Sequence, residues 1–386
     1  MIGYEQARAR IISSFEPLEV TRVLLDDALG LVCGETLAAE IDVPGFASSA
    51  MDGYAIRSAD APGTLRLIGD VPAGSVASAT IEAGTAAKIM TGAPIPSGAD
   101  AVVPWEDTVA TSYEVEVRAS VRAGHHVRPL GEDIARGATV LSPGVVLRAP
   151  HLGVLASLGR TDVAVVPRPT VAILSTGDEV VAPGSRLAPG QVYDANGTLL
   201  RALAREAGAD VVETSRLADD PDEIAAWFAD AAKRVDLIIT TGGASVGEHD
   251  WIRHVLERDG TLTLWRVAIK PGKPVAFATI HGAKVLGLPG NPGSAFTGMH
   301  VFVQPALRAL AGRDPEPRRV RARLTADVPN KGRTLFCRVT LSGEDATPMP
   351  AQSSVVLSNV LGADGYAVVA PGGMRAGDEV TVELLR

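Results

Sequence analysis

From residue 168 onward, strand-forming and helix-forming stretches take turns along the chain, and this alternation constrains the fold more than any other feature. "PTVAILSTGDE", "ADVVETSRLADD", "VDLII" and "KVLGLPGNP" read as strands and the loops that leave them. "NGTLLRALAREAG", "DPDEIAAWFADAAKR", "WIRHVLER" and "SAFTGMHVFV" read as the helices between them. Asn196 is the expected cap of the first helix and Gly208 its stop. Asp220 caps the second, with Pro221 first, Glu223 three on, and Ile224, Trp227 and Phe228 turned inward. In the third, Ile252, Val255 and Leu256 fall at helical spacing. Strand and helix in alternation imply a parallel sheet covered on both faces. Ligands of such sheets bind at the carboxyl ends of the strands. "STGDE", "LADD", "TTGGASVGEHD" and "LPGNP" all lie there.

The flanks read differently. "YEQARARIISSF" spaces Ala7, Ile11 and Phe15 four apart, as a helix does. From about residue 45 to "AGHHVRPLGEDIARG" the texture is short β-prone pieces between Gly, Pro, Ser and Asp, a small all-β unit. It has few long apolar runs, which suggests that it leans on a partner. A helix, "HLGVLASLG", and a strand, "TDVAVV", then return. The expected division is a split N-terminal domain of residues 1–45 and 138–167, an inserted β domain of 46–137, an α/β domain of 168–313 and a C-terminal β domain of 314–386. A net charge of -9 argues against a general nucleic-acid or membrane-surface binder. Cys33 and Cys337 stand far apart without a CxxC, which excludes a disulfide framework and points to a reducing cytoplasm. No segment resembles a signal peptide or a membrane span. His125 and His126 read as an exposed loop pair.

The strand-end loops carry the chemistry. Gly242, Gly243 and Gly247 let backbone approach a ligand closely. A tight strand-to-helix turn with Asp250 as an ordinary N-cap accounts for this loop equally well. Asp178, Glu179, Asp219 and Asp250 would repel one another on one rim unless a cation sat among them. Hard oxygen ligands favour Mg²⁺, and Mg²⁺ implies a phosphate-bearing substrate. Arg266, Lys270 and Lys273 lie on a stretch stiffened by Pro271 and Pro274. They suit a solvated edge or, beside the carboxylates, an anion. Asn291 as cap, Pro292 first, then Gly293 and Ser294 make a helix start able to receive an anion. No G-x-x-x-x-G-K-[ST] and no helix-opening G-x-G-x-x-G occurs. The residues alone imply a Mg²⁺-dependent phosphate-ester or nucleotide enzyme with a second anion.

"SSAMDGYAI", "KIMTGAPIPSGADAVVPWED", "GEDI", "STGDEV", "YDANG", "TTGGASVGEHD", "AIKPGKP" and "LPGNPGSA" together resemble the MoeA family, the molybdopterin molybdenumtransferases, to which the gephyrin E-domain also belongs. The motifs run in family order along the chain. The resemblance implies an α/β multidomain architecture: a three-layer α/β molybdopterin-binding domain, a split N-terminal domain, an inserted β domain and a C-terminal β domain. It implies that molybdate is inserted into adenylylated molybdopterin with Mg²⁺-dependent release of AMP. It assigns functional roles to Asp52, Thr91, Asp133, Glu179, Asp219, Asp250, Arg266 and Lys270. Substrate contacts fall to Ser175, Thr176, Gly177, Asp178, Gly242, Gly243, Ser245, Gly247, Lys273, Pro289, Gly290, Asn291, Pro292, Ser294, Arg338 and Ser353. Molybdate matches Lys270, Pro271, Ser294, Arg338 and either Ser353 or Ser354. Asp178, Glu179, Asp219 and Asp250 match the acids around Mg²⁺. The family further implies a homodimer in which Asp52, Thr91 and Asp133 complete the neighbour's cleft, and contact with the molybdopterin adenylyltransferase. Arg266 departs from the Lys more usual there, keeping the charge but in a planar fork. Competing readings are the sibling adenylyltransferase, which lacks "MDGYA" and a C-terminal β domain, a non-catalytic scaffold, and insertion of tungstate.

Overall fold

The computed structural model describes residues 1–75, 78, 80–242 and 250–385. Gly243, Ser245 and Gly247 therefore lie outside the described residues. The chain divides into two compact units, one of Met1–Thr21, Gly30–Val32 and Val165–Arg386, the other of Arg22–Leu29 and Cys33–Ala164.

The first unit is built on a six-stranded sheet in the order Asp210–Leu217, Thr170–Thr176, Leu237–Thr241, Ala283–Leu288, Ala276–Ile280, Gly260–Trp265. The first four strands are parallel. Ala276–Ile280 runs antiparallel to both of its neighbours, Ala283–Leu288 and Gly260–Trp265, so the sheet is mixed and not parallel throughout as the alternation implied. The reason is local. Between Ile280 and Ala283 the chain turns on His281 at φ 48° and Gly282 at φ 89°. Two consecutive positive φ angles make the tight hairpin turn that fits strand twist.

Both faces of this sheet are buried, and the strands show it residue by residue. Val171 and Ile173 enter one apolar cluster, Ala172 and Leu174 the other; Ile239 and Ile238 divide in the same way. Side chains of a strand alternate in direction, so two clusters mean two covered faces. Leu200 and Ala204 of the helix Ala195–Glu206 cover the first face, joined by Ala7 and Ile11 of the helix Tyr4–Ile12. Ile224 and Phe228 of Pro221–Ala231, with Ile252, Val255 and Leu256 of Trp251–Asp259, cover the second. Trp227 is half-buried.

The caps divide. Asp220 caps its helix, accepting from the N–H groups of Asp222 and Glu223. Asn196 does not cap. Asp194 takes that position, accepting from Gly197 N–H at 2.7 Å, and Asn196 falls inside the first turn. Asn291 occupies the cap position of Pro292–Gly298 without a capping side-chain bond.

A C-terminal β barrel closes through Thr334–Ser342, Asp345–Pro348, Arg319–Leu324, Glu379–Leu384 and Gly365–Val369, the last pairing back on the first. Tyr366 and Phe336 of the barrel belong to the apolar cluster of the α/β layer. A buried ion pair reinforces this joint. Arg8 donates to both carboxylate oxygens of Glu383, at 2.9 and 2.8 Å, and Arg319 and His300 face the same carboxylate.

The second unit holds its own six-stranded sheet, in the order Ala101–Pro104, Gly53–Ile56, Thr85–Ile89, Gly63–Val71, Glu114–Val117, Thr108–Ala110. Tyr54 and Ile56 pack on one side, Ala55 and Ala87 on the other. The unit thus has a core of its own, contrary to the expectation from its short runs: strands of four or five residues bury enough when both faces are covered. Thr139–Leu141 pairs with Leu37–Ala38, joining the two flanks around this sheet. His125 is half-buried, its Nδ1 against the Val102 carbonyl at 3.3 Å.

Candidate active site

The carboxyl ends of Thr170–Thr176, Leu237–Thr241 and Ala283–Leu288 open on a cleft of about 790 Å³. Of the residues expected from sequence, Ser175, Thr176, Gly177, Glu179, Asp219, Gly242, Lys273, Pro289, Gly290, Asn291 and Pro292 line it. So do Tyr193, Asp194, Asn196, Thr241 and Pro274, which were not expected. "YDANG" contains three of them, but its Asp and Asn are both good caps, and the sequence does not show which of the two faces the cleft.

The floor is tightly tied. Ser175 Oγ donates to Asp194 Oδ1 at 3.2 Å, the same oxygen that receives Gly197 N–H. Asn196 Nδ2 donates to the Gly290 carbonyl at 2.7 Å and to Thr241 Oγ1 at 2.9 Å. Thr241 in turn donates to the Pro289 carbonyl at 3.1 Å. Gly242 has φ +88°, and a Cβ there would stand 2.2 Å from the Thr176 carbonyl oxygen. Its side chain is therefore excluded by its own neighbouring strand, before any ligand is considered.

The acids gather in part. Asp178 Oδ1 accepts the backbone N–H of Asp219 at 3.1 Å, which holds the two residues together. Glu179 and Asp219 line the cleft, with Lys273 also on its wall. Asp250 is buried and caps its helix through Oδ1, accepting from Arg253 N–H at 3.0 Å. Burial pushes its carboxyl up to about 6, against the lowering pull of the Arg253 N–H and of the Arg253 and Arg266 charges. Its Oδ2 has no hydrogen-bond partner among the described residues. Arg266 sits at φ 72°, and its buried Nε is also without a partner among them. The described residues contain no group of three or more His, Cys, Asp or Glu placed to hold one metal ion.

The residues matched to molybdate are distributed. Lys270 and Ser353 line a separate hollow of about 440 Å³ beside the barrel, with Asp327, Cys337 and Gln352. Arg338 is 1% exposed, and its guanidinium donates to the carbonyls of Val356, Ser353 and Ala351 and to Gln352 Oε1. Ser294 is buried, its N–H shared between the Asn291 and Ser354 carbonyls. Asn291 Nδ2 donates to Ser354 Oγ at 3.1 Å, so Ser354 is tied to the helix start while Ser353 faces the hollow.

In the second unit Asp52 and Thr91 meet. Asp52 Oδ1 accepts both the N–H and the Oγ1 proton of Thr91, each at 2.7 Å, and these bonds hold an otherwise exposed carboxyl below its ordinary pKa. Asp133 is exposed in the turn that bonds through its N–H to the Val43 carbonyl.

Three family models cover the chain. The MoeA N-terminal region (domain I and II) matches residues 2–159, the probable molybdopterin binding domain 172–309, and the MoeA C-terminal region (domain IV) 321–385. Molybdopterin molybdenumtransferase 2 of Mycobacterium tuberculosis H37Rv is 37% identical over 360 residues, 89% of this chain and 88% of its own length. The molybdopterin molybdenumtransferase of Staphylococcus epidermidis RP62A is 34% identical over 400 residues, 99% of this chain and 95% of its own length. The crystal structure of a molybdopterin biosynthesis MoeA protein from Pyrococcus horikoshii superposes with a TM-score of 0.88 at 33% identity, covering 100% of this chain and 99% of that one. No helix among the described residues is long and apolar enough to cross a membrane.

Proposed function

This chain belongs to the MoeA family of molybdenum cofactor biosynthesis enzymes, and we propose that it inserts molybdate into adenylylated molybdopterin with release of AMP. The observation that carries this reading is the cleft at the strand ends. Its lining brings Glu179 and Asp219 together with Lys273, around a floor of hydroxyls, amides and the hydrogen-bonded Asp194 carboxylate. Such a cleft suits a substrate with charged phosphates and an uncharged, hydrogen-bonding ring.

Mg²⁺ binds through one or two carboxylates together with water and substrate phosphate. The Asp178 and Asp219 pair, fastened by the 3.1 Å bond, fits that requirement. Mg²⁺ held there would offset the charge that gathers on the departing AMP. Lys273 would pair with a phosphate oxygen by charge-assisted hydrogen bonding. Asp250 keeps an unmatched buried oxygen and an acidity close to neutrality. It can hold a proton or a donor at Oδ2 while Oδ1 stays engaged as a cap. Lys270 and Ser353, in their separate hollow, are the residues we assign to molybdate, and Arg338 to holding the loop that presents Ser353.

We read the chain as the four domains expected from its sequence, acting as a cytoplasmic homodimer to which Asp52, Thr91 and Asp133 contribute in trans. Two buried free cysteines, Cys33 and Cys337, suit a reducing compartment. The test is reconstitution with adenylylated molybdopterin and Mg²⁺, offering molybdate or tungstate in separate arms and following AMP release and cofactor formation. Release of AMP coupled to cofactor formation is expected with molybdate. Binding without AMP release would leave a scaffold, and turnover confined to tungstate would identify the other oxyanion as substrate.

A further inference from the structure

Glu179, Asp219 and Lys273 leave the hydrogen-bonded floor of the cleft without a task. Asn196 is 8% exposed there, in the first turn of the helix that Asp194 caps. Its amide orientation is fixed, because the Gly290 carbonyl 2.7 Å away can only accept and so must face nitrogen. Thr241, having received the second Nδ2 bond, directs its own proton to Pro289. Every donor of this side chain is thereby spent on the floor. The acceptor is not: Oδ1 is buried and has no hydrogen-bond partner among the described residues. Thr176 Oγ1, on the neighbouring strand end, is 3% exposed and equally unmatched. In folded proteins most buried polar atoms have a partner; this chain has other exceptions, Asp250 Oδ2 and Arg266 Nε among them. Two orphans on residues that line one cleft stand where a ligand could supply the missing partners.

We propose that Asn196 is a specificity-determining residue of the cleft, its Oδ1 accepting an N–H from the amino-bearing edge of a heterocyclic ring. This rests on the reading of the cleft as the site of adenylylated molybdopterin. That substrate offers two such edges, the amino group of the pterin and that of adenine. An oxygen acceptor welcomes either and repels a ring that presents a carbonyl oxygen in the same place. The unmatched Thr176 hydroxyl can donate to, or accept from, the atom beside it. Discrimination therefore arises from an acceptor whose orientation the floor has already fixed.

Two ligand pairs test this, each differing in one amino group: AMP against IMP, and pterin against lumazine. Dissociation constants are measured by calorimetry for the wild-type chain and for Asn196→Ala, with adenylylated molybdopterin as the reference ligand. The wild type is expected to prefer the amino member of one pair by about tenfold or more, as loss of one buried hydrogen bond implies. Asn196→Ala should bring that ratio close to one while the other pair is unaffected. The pair that responds identifies the ring. Thr241→Val removes the hydroxyl that receives Nδ2 but leaves Oδ1, and it should keep the preference. If it abolishes the preference as fully as Asn196→Ala does, Asn196 is only a strut and the proposal is overturned. Absence of a preference in both pairs overturns it from the wild type alone, whether or not the variant folds. Failure of the wild type to bind adenylylated molybdopterin overturns the reading of the cleft itself, which is a separate result.

Discussion

Asp219 and Asp220 are sequence neighbours with separable duties. Asp220 Oδ1 accepts the N–H groups of Asp222 and Glu223 at 2.9 and 3.1 Å, while Asp219 lines the cleft. Asp220→Ala should cost about 1 kcal/mol of stability, the usual worth of an N-cap, and leave turnover per folded molecule close to wild type. Asp219→Ala should do the reverse. Equal catalytic defects in the two folded variants, measured as AMP release beside melting temperature, would sink this division. Gly242→Ala makes a second case. With φ at +88° and a Cβ 2.2 Å from the Thr176 carbonyl, the methyl must displace a strand end. A fall in stability well beyond the roughly 1 kcal/mol of an ordinary Gly-to-Ala difference is expected. Unchanged melting would show that the strand end yields freely. Sequence reading anticipated the Asp220 cap because an Asp-Pro step before an apolar-periodic run leaves little choice. It misassigned Asn196 because Asp194 and Asn196 are both good caps two residues apart. Only the sheet beneath, offering Gly290 and Thr241 to one of them, decides between the two.

Among the elements, the barrel strand Glu379–Leu384 and the helix Tyr4–Ile12 meet through Glu383 and Arg8. Burial by itself would raise the Glu383 carboxyl. The hydrogen bonds and charges of Arg8 and His300 outweigh it and hold the group far below its ordinary value of 4.5. A depressed carboxyl contributes stability that is fully present above the unfolded-state pKa and is lost as pH falls toward the folded one. The wild type should therefore lose stability below about pH 4.5, the reference carboxyl range. Glu383→Gln should be less stable near neutrality and flatter in acid. Denaturation midpoints from pH 7 to 3 check this, and parallel slopes for the two chains would refute it. Arg8→Met removes the bidentate partner of a buried carboxylate and leaves it Arg319 and His300, so the cost should fall below the roughly 3–5 kcal/mol of a buried charge left alone. Neither residue stood out in the sequence, since their pairing spans the whole chain. The parallel core of the sheet was legible from its alternation. Its antiparallel edge was not, because the His281-Gly282 turn is short and gives only one glycine as a signal.

At the scale of the molecule, the family and the layered α/β plan were legible because many long motifs recur in order. The second unit's sheet was recognised as β, but the size of its apolar core was underestimated. Strands such as Gly53–Ile56 are short, and their two-sided burial emerges only once six of them are paired. The proposal that Asp52 and Thr91 serve a neighbour's cleft belongs here. An Asp52→Ala chain mixed with an Asp250→Ala chain should regain activity in the heterodimer, where one cleft is whole. No recovery after verified subunit exchange would count against shared clefts. The Arg8 to Glu383 bond has one more consequence, for how the protein is made. Its partners are 375 residues apart. During translation the helix bearing Arg8 leaves the ribosome long before the strand bearing Glu383 exists. Through nearly all of synthesis the guanidinium lacks its carboxylate partner, although Ala7 and Ile11 can already rest on the α/β face and Arg8 Nε can already reach the Val301 carbonyl. The joint between helix and barrel is thus a final latch, set only when the last strand has emerged. A nascent chain halted upstream of residue 379 should leave this helix less protected against protease than it is in the finished chain, even where the α/β layer has already formed.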